Sequence, residues 1–183
     1  MNEVTYTLKT LPTKTDHHKG PLEASVVIVE YGDFQCPFCS ATAKVLDQIF
    51  KTYIDVCLIF RHFPLLATHT NAAMAAVASE AAAKQGKFWE MHQALFDSQN
   101  DLSTENILSL ARTLGLNMRT FLNDLEDEDL LKRVRRDMDY GMNNGVFTTP
   151  TIFVNGVRFE GLPTFEGLGQ EIDQILADNQ SFI

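Results

Sequence analysis

The sequence predicts an α/β protein, a central β-sheet flanked by helices with an all-helical subdomain set into the middle of the chain. Three observations carry this. Two short β-branched apolar runs, 26–31 and 56–60, flank a segment of helical period, which makes a βαβ unit. The middle of the chain, 67–145, is helical in its spacing. A strand, an Asn-Gly pair, a second strand and an amphipathic helix close the chain. The expected organisation is therefore 1–66 as the first half of a sheet domain, 67–145 as the helical insertion, and 146–183 as the second, ββα half.

In chain order, residues 1–25 are polar and turn-rich, with a short strand expected around 4–8. The run Val26-Val27-Ile28-Val29-Glu30-Tyr31 reads as a strand buried on both faces. Gly32 to Gln35 form a loop to Cys36, and the helical period starts at Pro37, with Phe38, Ala41, Val45, Leu46, Ile49, Phe50 and Tyr53 on one face. Proline suits the first helical turn, where its missing N–H has no intrahelical acceptor to serve. Residues 56–60 form the second central strand. Helices are then expected over 71–85, stopping at Gly86, over 87–98, from an N-cap at Ser103 to Gly115, and over 118–125 and 129–144. Strands 151–154 and 157–160 pair around Asn155-Gly156, the strongest two-residue hairpin signal. The last helix uses Phe165, Leu168, Ile172, Ile175 and Leu176.

Composition excludes several functional classes. The chain has 183 residues, 45% hydrophobic and 21% charged, which rules out collagen-like and disordered proteins. Fifteen Lys+Arg against 24 Asp+Glu give a net charge of −9, a poor match to phosphate backbones or anionic lipid. The one basic cluster, 132–136, lies among acids and reads as a solvated helix face. No apolar stretch is long enough to predict a membrane span. The start, Met1-Asn2-Glu3-Val4-Thr5-Tyr6, has neither a basic n-region nor an apolar h-region, so a cytoplasmic protein is expected. A chain whose leader had been removed would read the same, and its location would then be periplasmic or exported.

Three cysteines are too few for a disulfide scaffold. Cys36 and Cys39 form one C-x-x-C, a pattern shared by redox dithiols and half zinc sites. Zinc normally takes four ligands. Cys57 falls inside a predicted buried strand, and His17, His18, His62, His69 and His92 show no paired spacing, with His17-His18 read as a solvated loop. No metal is expected. The redox reading has a mechanism. Cys36 falls at a strand-to-helix junction, where unpaired N–H groups and the helix dipole stabilise a thiolate. Cys36 is thus the expected nucleophile. Cys39, on the same face, is the expected resolving thiol, and Cys57 a small buried core residue.

Several motifs in order bear a family likeness. Gly20-Pro21-Leu22-Glu23-Ala24-Ser25, the run 32–39 (Gly-Asp-Phe-Gln-Cys-Pro-Phe-Cys), Phe60-Arg61-His62-Phe63-Pro64-Leu65, Gly86-Lys87-Phe88-Trp89-Glu90-Met91-His92 and Gly145-Val146-Phe147-Thr148-Thr149-Pro150-Thr151 resemble the DsbA-like branch of the thioredoxin superfamily. The resemblance runs from about residue 16 to the C-terminus. It implies a thioredoxin fold with a helical insertion, and thiol–disulfide exchange on protein or peptide cysteines. It implies a cis bond before Pro150, X-Pro being the bond where cis is cheap, with the backbone of Thr149 turned to pair with an extended substrate. It also implies a buried acid beneath the dithiol at Glu30, able to move a proton at Cys39; the alternative is an exposed glutamate at the strand end. The dipeptide Pro37-Phe38 departs from the Pro-His of strongly oxidising members, which predicts a less stabilised thiolate.

The expected function is dithiol–disulfide exchange through Cys36 and Cys39, with no cofactor, cysteine-containing protein or peptide substrates, and an unidentified redox partner or glutathione. Nucleic acid and membrane are not expected partners. Two alternatives stand beside it. One is a glutathione-linked enzyme of the same fold acting on small thiols. The other is a non-catalytic binding module with a groove at Phe34, Phe38 and Pro150.

Overall fold

The computed structural model describes residues 7–180. Its strands are β1 (His17–Lys19), β2 (Val26–Gly32), β3 (Val56–His62), β4 (Thr151–Val154) and β5 (Val157–Arg158), in the sheet order β1-β3-β2-β4-β5. β2 and β3 are parallel and joined through α1 (Pro37–Thr52); the other pairs are antiparallel. This is the thioredoxin fold with a helical insertion between β3 and β4.

The side-chain alternation of the strands decides what lies over each face. Val26 and Ile28 of β2, Val56 and Leu58 of β3, and Ile152 and Val154 of β4 pack against Leu46 and Ile49 of α1 and Leu168 and Ile172 of α7 (Phe165–Gln180). Val29, Tyr31, Cys57, Ile59 and Phe153 form the opposite layer. By the same period, Glu30 falls on the α1 face and Cys57 on the other. Each fully buried aliphatic or aromatic side chain contributes roughly 1.5–3 kcal/mol.

The insertion holds α2 (Ala72–Ala83), α3 (Phe88–Asp97), α4 (Thr104–Thr113), α5 (Met118–Leu125) and α6 (Glu128–Asn143). α2 is buried on nearly all sides, which its alanines allow because they let neighbouring helices approach closely. Ser103, Asn117 and Asp127 cap α4, α5 and α6 with their side chains. The insertion's core, with Met91, Leu95, Ile107 and Phe121, extends to Cys36 and Cys39, so the two halves of the molecule meet at the dithiol.

Three expectations are corrected, and a fourth falls partly outside the described residues. Residues 4–6 of the expected first strand lie outside the described residues; Thr7 makes an isolated bridge to Val157, and Leu8 N–H donates to Gly156 O at 2.7 Å. His17 and His18 are not a solvated loop but part of edge strand β1, because the outer edge of β3 pairs with them at Phe60 and Ile59. The basic cluster is not wholly solvated, since Arg133 turns inward to a buried carboxylate, Glu80, at 2.7 Å. The second hairpin strand is shorter than 157–160, ending at Arg158.

Asn155 (φ 47°) and Gly156 (φ 80°) supply the two positive φ values of the tight hairpin. Gly32 answers a different need. A Cβ there would lie 2.4 Å from Phe60 Cε2, and the Phe60 ring is buried. Gly32→Ala is expected to lower stability by about 1–3 kcal/mol in urea denaturation; an unchanged midpoint would show that Phe60 yields freely.

Candidate active site

The dithiol is built by the end of one strand and the start of one helix. β2 stops at Gly32, and Cys36 is the N-cap of α1 with extended backbone (φ −77°, ψ 119°), followed by Pro37 in the first turn. The short loop between is held from several sides. The buried Asp33 carboxylate accepts from Gln35 N–H at 2.6 Å, Leu65 N–H at 2.7 Å and His69 Nδ1 at 2.7 Å. From the insertion, Gln99 Nε2 donates to the carbonyls of Phe34 and Cys36, both at 2.8 Å. Gln35 Oε1 accepts from Asn71 N–H at the start of α2.

Cys36, Cys39 and Cys57 are free thiols. Cys36 is 4% exposed and Cys39 fully buried. The Cys36 pKa is drawn down to about 5, foremost by a hydrogen bond from the Cys39 thiol and against the effect of burial, with help from the Thr149 side chain and the N–H groups of Cys39 and Phe38. Cys39 is pushed the other way, chiefly by burial and then by its bond to Cys36. One thiol is therefore ionised at neutral pH and its neighbour keeps its proton.

Facing the dithiol is the loop before β4. The Thr149–Pro150 bond is cis, and Cys36 Sγ lies 3.3 Å from the Thr149 carbonyl, close enough for the thiol to donate. The Cys36 loop and the Thr149 loop each carry a largely exposed phenylalanine, Phe38 and Phe147, both 74% exposed. Phe34, expected to line a surface groove, is instead 1% exposed and stacked against Phe60 at 5.3 Å. Its ring turns inward because the core of the insertion reaches the loop at this point.

Glu30 is 2% exposed, and its Oε1 has no hydrogen-bond partner. Burial, and then the negative charge at Cys36, push its pKa up to about 8, so it is a neutral acid at pH 7. Cys57 lies on the other face of the sheet, with a pKa raised to about 11 by burial and by Glu23. It takes no part in the site.

The structure gives Asp33, which stands inside the 32–39 motif, and His69, which follows the second strand, roles that the sequence did not specify, and it adds Gln99, which no sequence signal marked. Asp33, His69 and Gln99 fix the active-site loop, yet their partners stand up to 65 positions away in the chain. His17, His62 and Glu80 place three potential metal-ligating atoms within 4.8 Å of one another. Glu80 Oε1, however, already accepts from His17 at 2.7 Å, His62 at 2.9 Å and Arg133 at 2.7 Å. A cation there would displace both imidazole donors and stand against the Arg133 guanidinium, so the donor set fits a buried ion network better than a metal centre.

A dithiol on a strand-to-helix turn of a mixed sheet, facing the loop before an antiparallel strand, defines a class of redox protein. The chain belongs to the thioredoxin family: a family model described as thioredoxin matches residues 12–174. Within it the chain is DsbA-like. It resembles oxidised BdbD from Bacillus subtilis, with a TM-score of 0.81, 26% identity, and coverage of 93% of this chain and 98% of that one. It shares the fold of α-DsbA1 from Wolbachia pipientis, with a TM-score of 0.79, 24% identity, and coverage of 92% and 94%. In sequence it is 40% identical over 157 residues to a Na(+)/H(+) antiporter NhaA 3 of Salinispora tropica, covering 86% of this chain and 24% of that protein. It is 41% identical over 157 residues to a Na(+)/H(+) antiporter NhaA 1 of Mycolicibacterium vanbaalenii, covering 84% and 25%. The chain spans about a quarter of the length of these curated relatives. Among the described residues no helix is long and apolar enough to cross a membrane.

The two shifted groups leave opposite marks on stability. Glu30 has a raised pKa, so the native protein keeps a proton that the unfolded chain releases above 4.5, and stability falls as pH rises toward about 8. Cys36 has a depressed pKa, so the reduced native protein gains stability as pH rises from about 5 to 9. Oxidation removes the second effect and leaves the first. Urea unfolding of the oxidised protein should show lower stability at pH 8 than at pH 5, and Glu30→Gln should flatten that slope. A slope unaffected by Glu30→Gln would contradict the burial of this acid as its cause.

Proposed function

We propose that the protein is a dithiol–disulfide oxidoreductase acting on cysteines of protein or peptide substrates. The observation that carries this is the split between the thiols: Cys36 is ionised at the helix N-cap beside Cys39, a thiol that keeps its proton. In the reductive direction the Cys36 thiolate attacks a substrate disulfide, forming a mixed disulfide and releasing one substrate thiolate. The ionised fraction of Glu30, which grows once the Cys36 charge has gone into the mixed disulfide, takes the proton of Cys39. The Cys39 thiolate then attacks Cys36 Sγ, the mixed disulfide breaks, and the second substrate thiolate leaves as the Cys36–Cys39 disulfide forms. Two electrons pass to the substrate, so no cofactor is needed. The reverse sequence donates a disulfide.

Several features support a polypeptide substrate. The Thr149 carbonyl beside the reacting sulfur offers a main-chain acceptor to an extended segment, a form of strand addition. Pro37 and Pro150 shape the two sides of the mouth, and Phe38 and Phe147 offer apolar surface next to it. The low Cys36 pKa stabilises the reduced form and moves the couple toward oxidising potentials. In a glutathione-buffered cytoplasm such a dithiol stands reduced and acts as a reductant, and in an oxidising compartment it acts as a disulfide donor.

Insulin reduction with dithiothreitol as electron source tests the assignment. Cys36→Ser should abolish turnover, and Cys39→Ser should accumulate a mixed disulfide visible by mass spectrometry. Glu30→Gln should leave attack by Cys36 intact and slow resolution by ~10²-fold or less, since water partly substitutes for acid–base groups. Turnover retained in Cys36→Ser would end the proposal, as would saturation by glutathione alone with no action on insulin.

A further inference from the structure

Cys39 is fully buried, so solvent does not meet its sulfur when resolution turns the thiol into a thiolate. A buried charge needs a hydrogen-bond donor close by. The main chain supplies one: Asp33 N–H points at Cys39 Sγ from 3.5 Å. The aim of that N–H depends on how Asp33 is held. Its carbonyl accepts from Cys36 N–H at 3.1 Å, and its side chain is 0% exposed. Oδ1 accepts from Gln35 N–H, and Oδ2 accepts from Leu65 N–H and from His69 Nδ1. Gln35 and Leu65 give main-chain groups to this carboxylate, whereas His69 gives a side chain. His69 is itself fixed on the turn from β3 to α2, where its N–H donates to Leu65 O at 2.9 Å. Its ring is 20% exposed. An imidazole can donate from Nδ1 whether neutral or charged, so this bond needs no titration.

We propose that His69 is a positioning residue for the second half of the exchange: through the Asp33 carboxylate it aims Asp33 N–H at Cys39 Sγ, where negative charge gathers as that thiol ionises. This rests on the exchange reading and ties one of its steps to a residue outside the dithiol. As Glu30 takes the Cys39 proton, Asp33 N–H meets the charge left on the sulfur. Cys39 Sγ then bonds to Cys36 Sγ, the bond from Cys36 to the substrate sulfur breaks, and the substrate thiolate leaves with the electron pair. Burial foremost pushes the Cys39 pKa up, and the Asp33 N–H works against it. A buried carboxylate short of a donor is costly. Without His69 the Asp33 side chain therefore turns to find another partner, and it carries its own N–H out of line with the sulfur.

The test separates the two half-reactions with a peptide disulfide as substrate, following the mixed disulfide by acid quenching and mass spectrometry. His69→Ala should slow resolution by ~10-fold or more, the size of one hydrogen bond to a charged group, and change attack by Cys36 far less. His69→Asn sets an amide nitrogen at the place of Nδ1, so it donates to Asp33 without titrating and should restore most of the resolution rate. His69→Leu fills the space without a donor; it should behave as His69→Ala does and replaces it if the alanine variant fails to fold. Amide hydrogen exchange reads the same contact apart from activity. Exchange at Asp33 N–H should quicken in His69→Ala and His69→Leu, while Ile28 and Val29 in β2 exchange as in the wild type. Equal slowing of attack and resolution, an asparagine variant as slow as alanine, or wild-type resolution in both His69→Ala and His69→Leu would overturn the positioning role and leave the exchange reading standing. A wild type that forms no mixed disulfide at all would overturn that reading instead.

Discussion

The site depends on where one helix begins. Cys36 occupies the N-cap of α1, so its sulfur meets N–H groups that have no intrahelical acceptor, while Cys39 lies one turn along in the packed interior. A single structural fact thus lowers the pKa of one thiol and raises that of the other. Pro37 secures the start, since its fixed φ suits the first turn and its missing N–H has no bond to lose. The loop before it cannot drift, because Asp33 ties it to Leu65 and His69, and Gln99 ties it to the insertion. The helical insertion therefore sets the geometry of the sulfur as directly as the sheet does.

Glu30 follows from the same framework. The alternation that sends Val26 and Ile28 under α1 sends Glu30 there too, where no side chain pairs with its Oε1. Burying a carboxyl without a partner disfavours its charged form, and the thiolate at Cys36 adds to this. A residue that weakens the fold at high pH is thereby set near the group that has to lose a proton. Phe60 closes one side of this space and needs Gly32 opposite it, so the packing of an aromatic ring and the placing of an acid share one constraint.

Much of this was legible in the sequence because it is local. Pro37 after an apolar strand marks the helix start, Ser103 marks a cap that its side chain makes with Asn106 N–H, and Asn155-Gly156 marks the hairpin. The strands 26–31 and 56–60 were readable from their apolar runs, although both extend further than the runs themselves. What escaped is non-local. His17 looks like a polar loop residue until β3 supplies an edge and Glu80 supplies a partner 63 positions away. Arg133 sits in a basic run whose neighbours face solvent, and only the packing of α6 against the site of Glu80 turns it inward. Phe34 beside the cysteines suggested a docking surface, but the core of the insertion claims it. Asp33 stood inside the 32–39 motif without its role being readable, and Gln99 carried no signal at all, since it bonds backbone atoms of a distant segment.

The central claim is that the fold ionises Cys36 alone and leaves Cys39 protonated. Thiolate absorbance in the ultraviolet, followed through a pH titration of the reduced protein, measures this directly, with Cys36→Ser and Cys39→Ser to assign the signal. The account predicts one thiolate appearing with a midpoint near pH 5, absent in Cys36→Ser, and no ionisation of Cys39 before the protein unfolds. A first midpoint near 9, the ordinary value for a cysteine thiol, would contradict it.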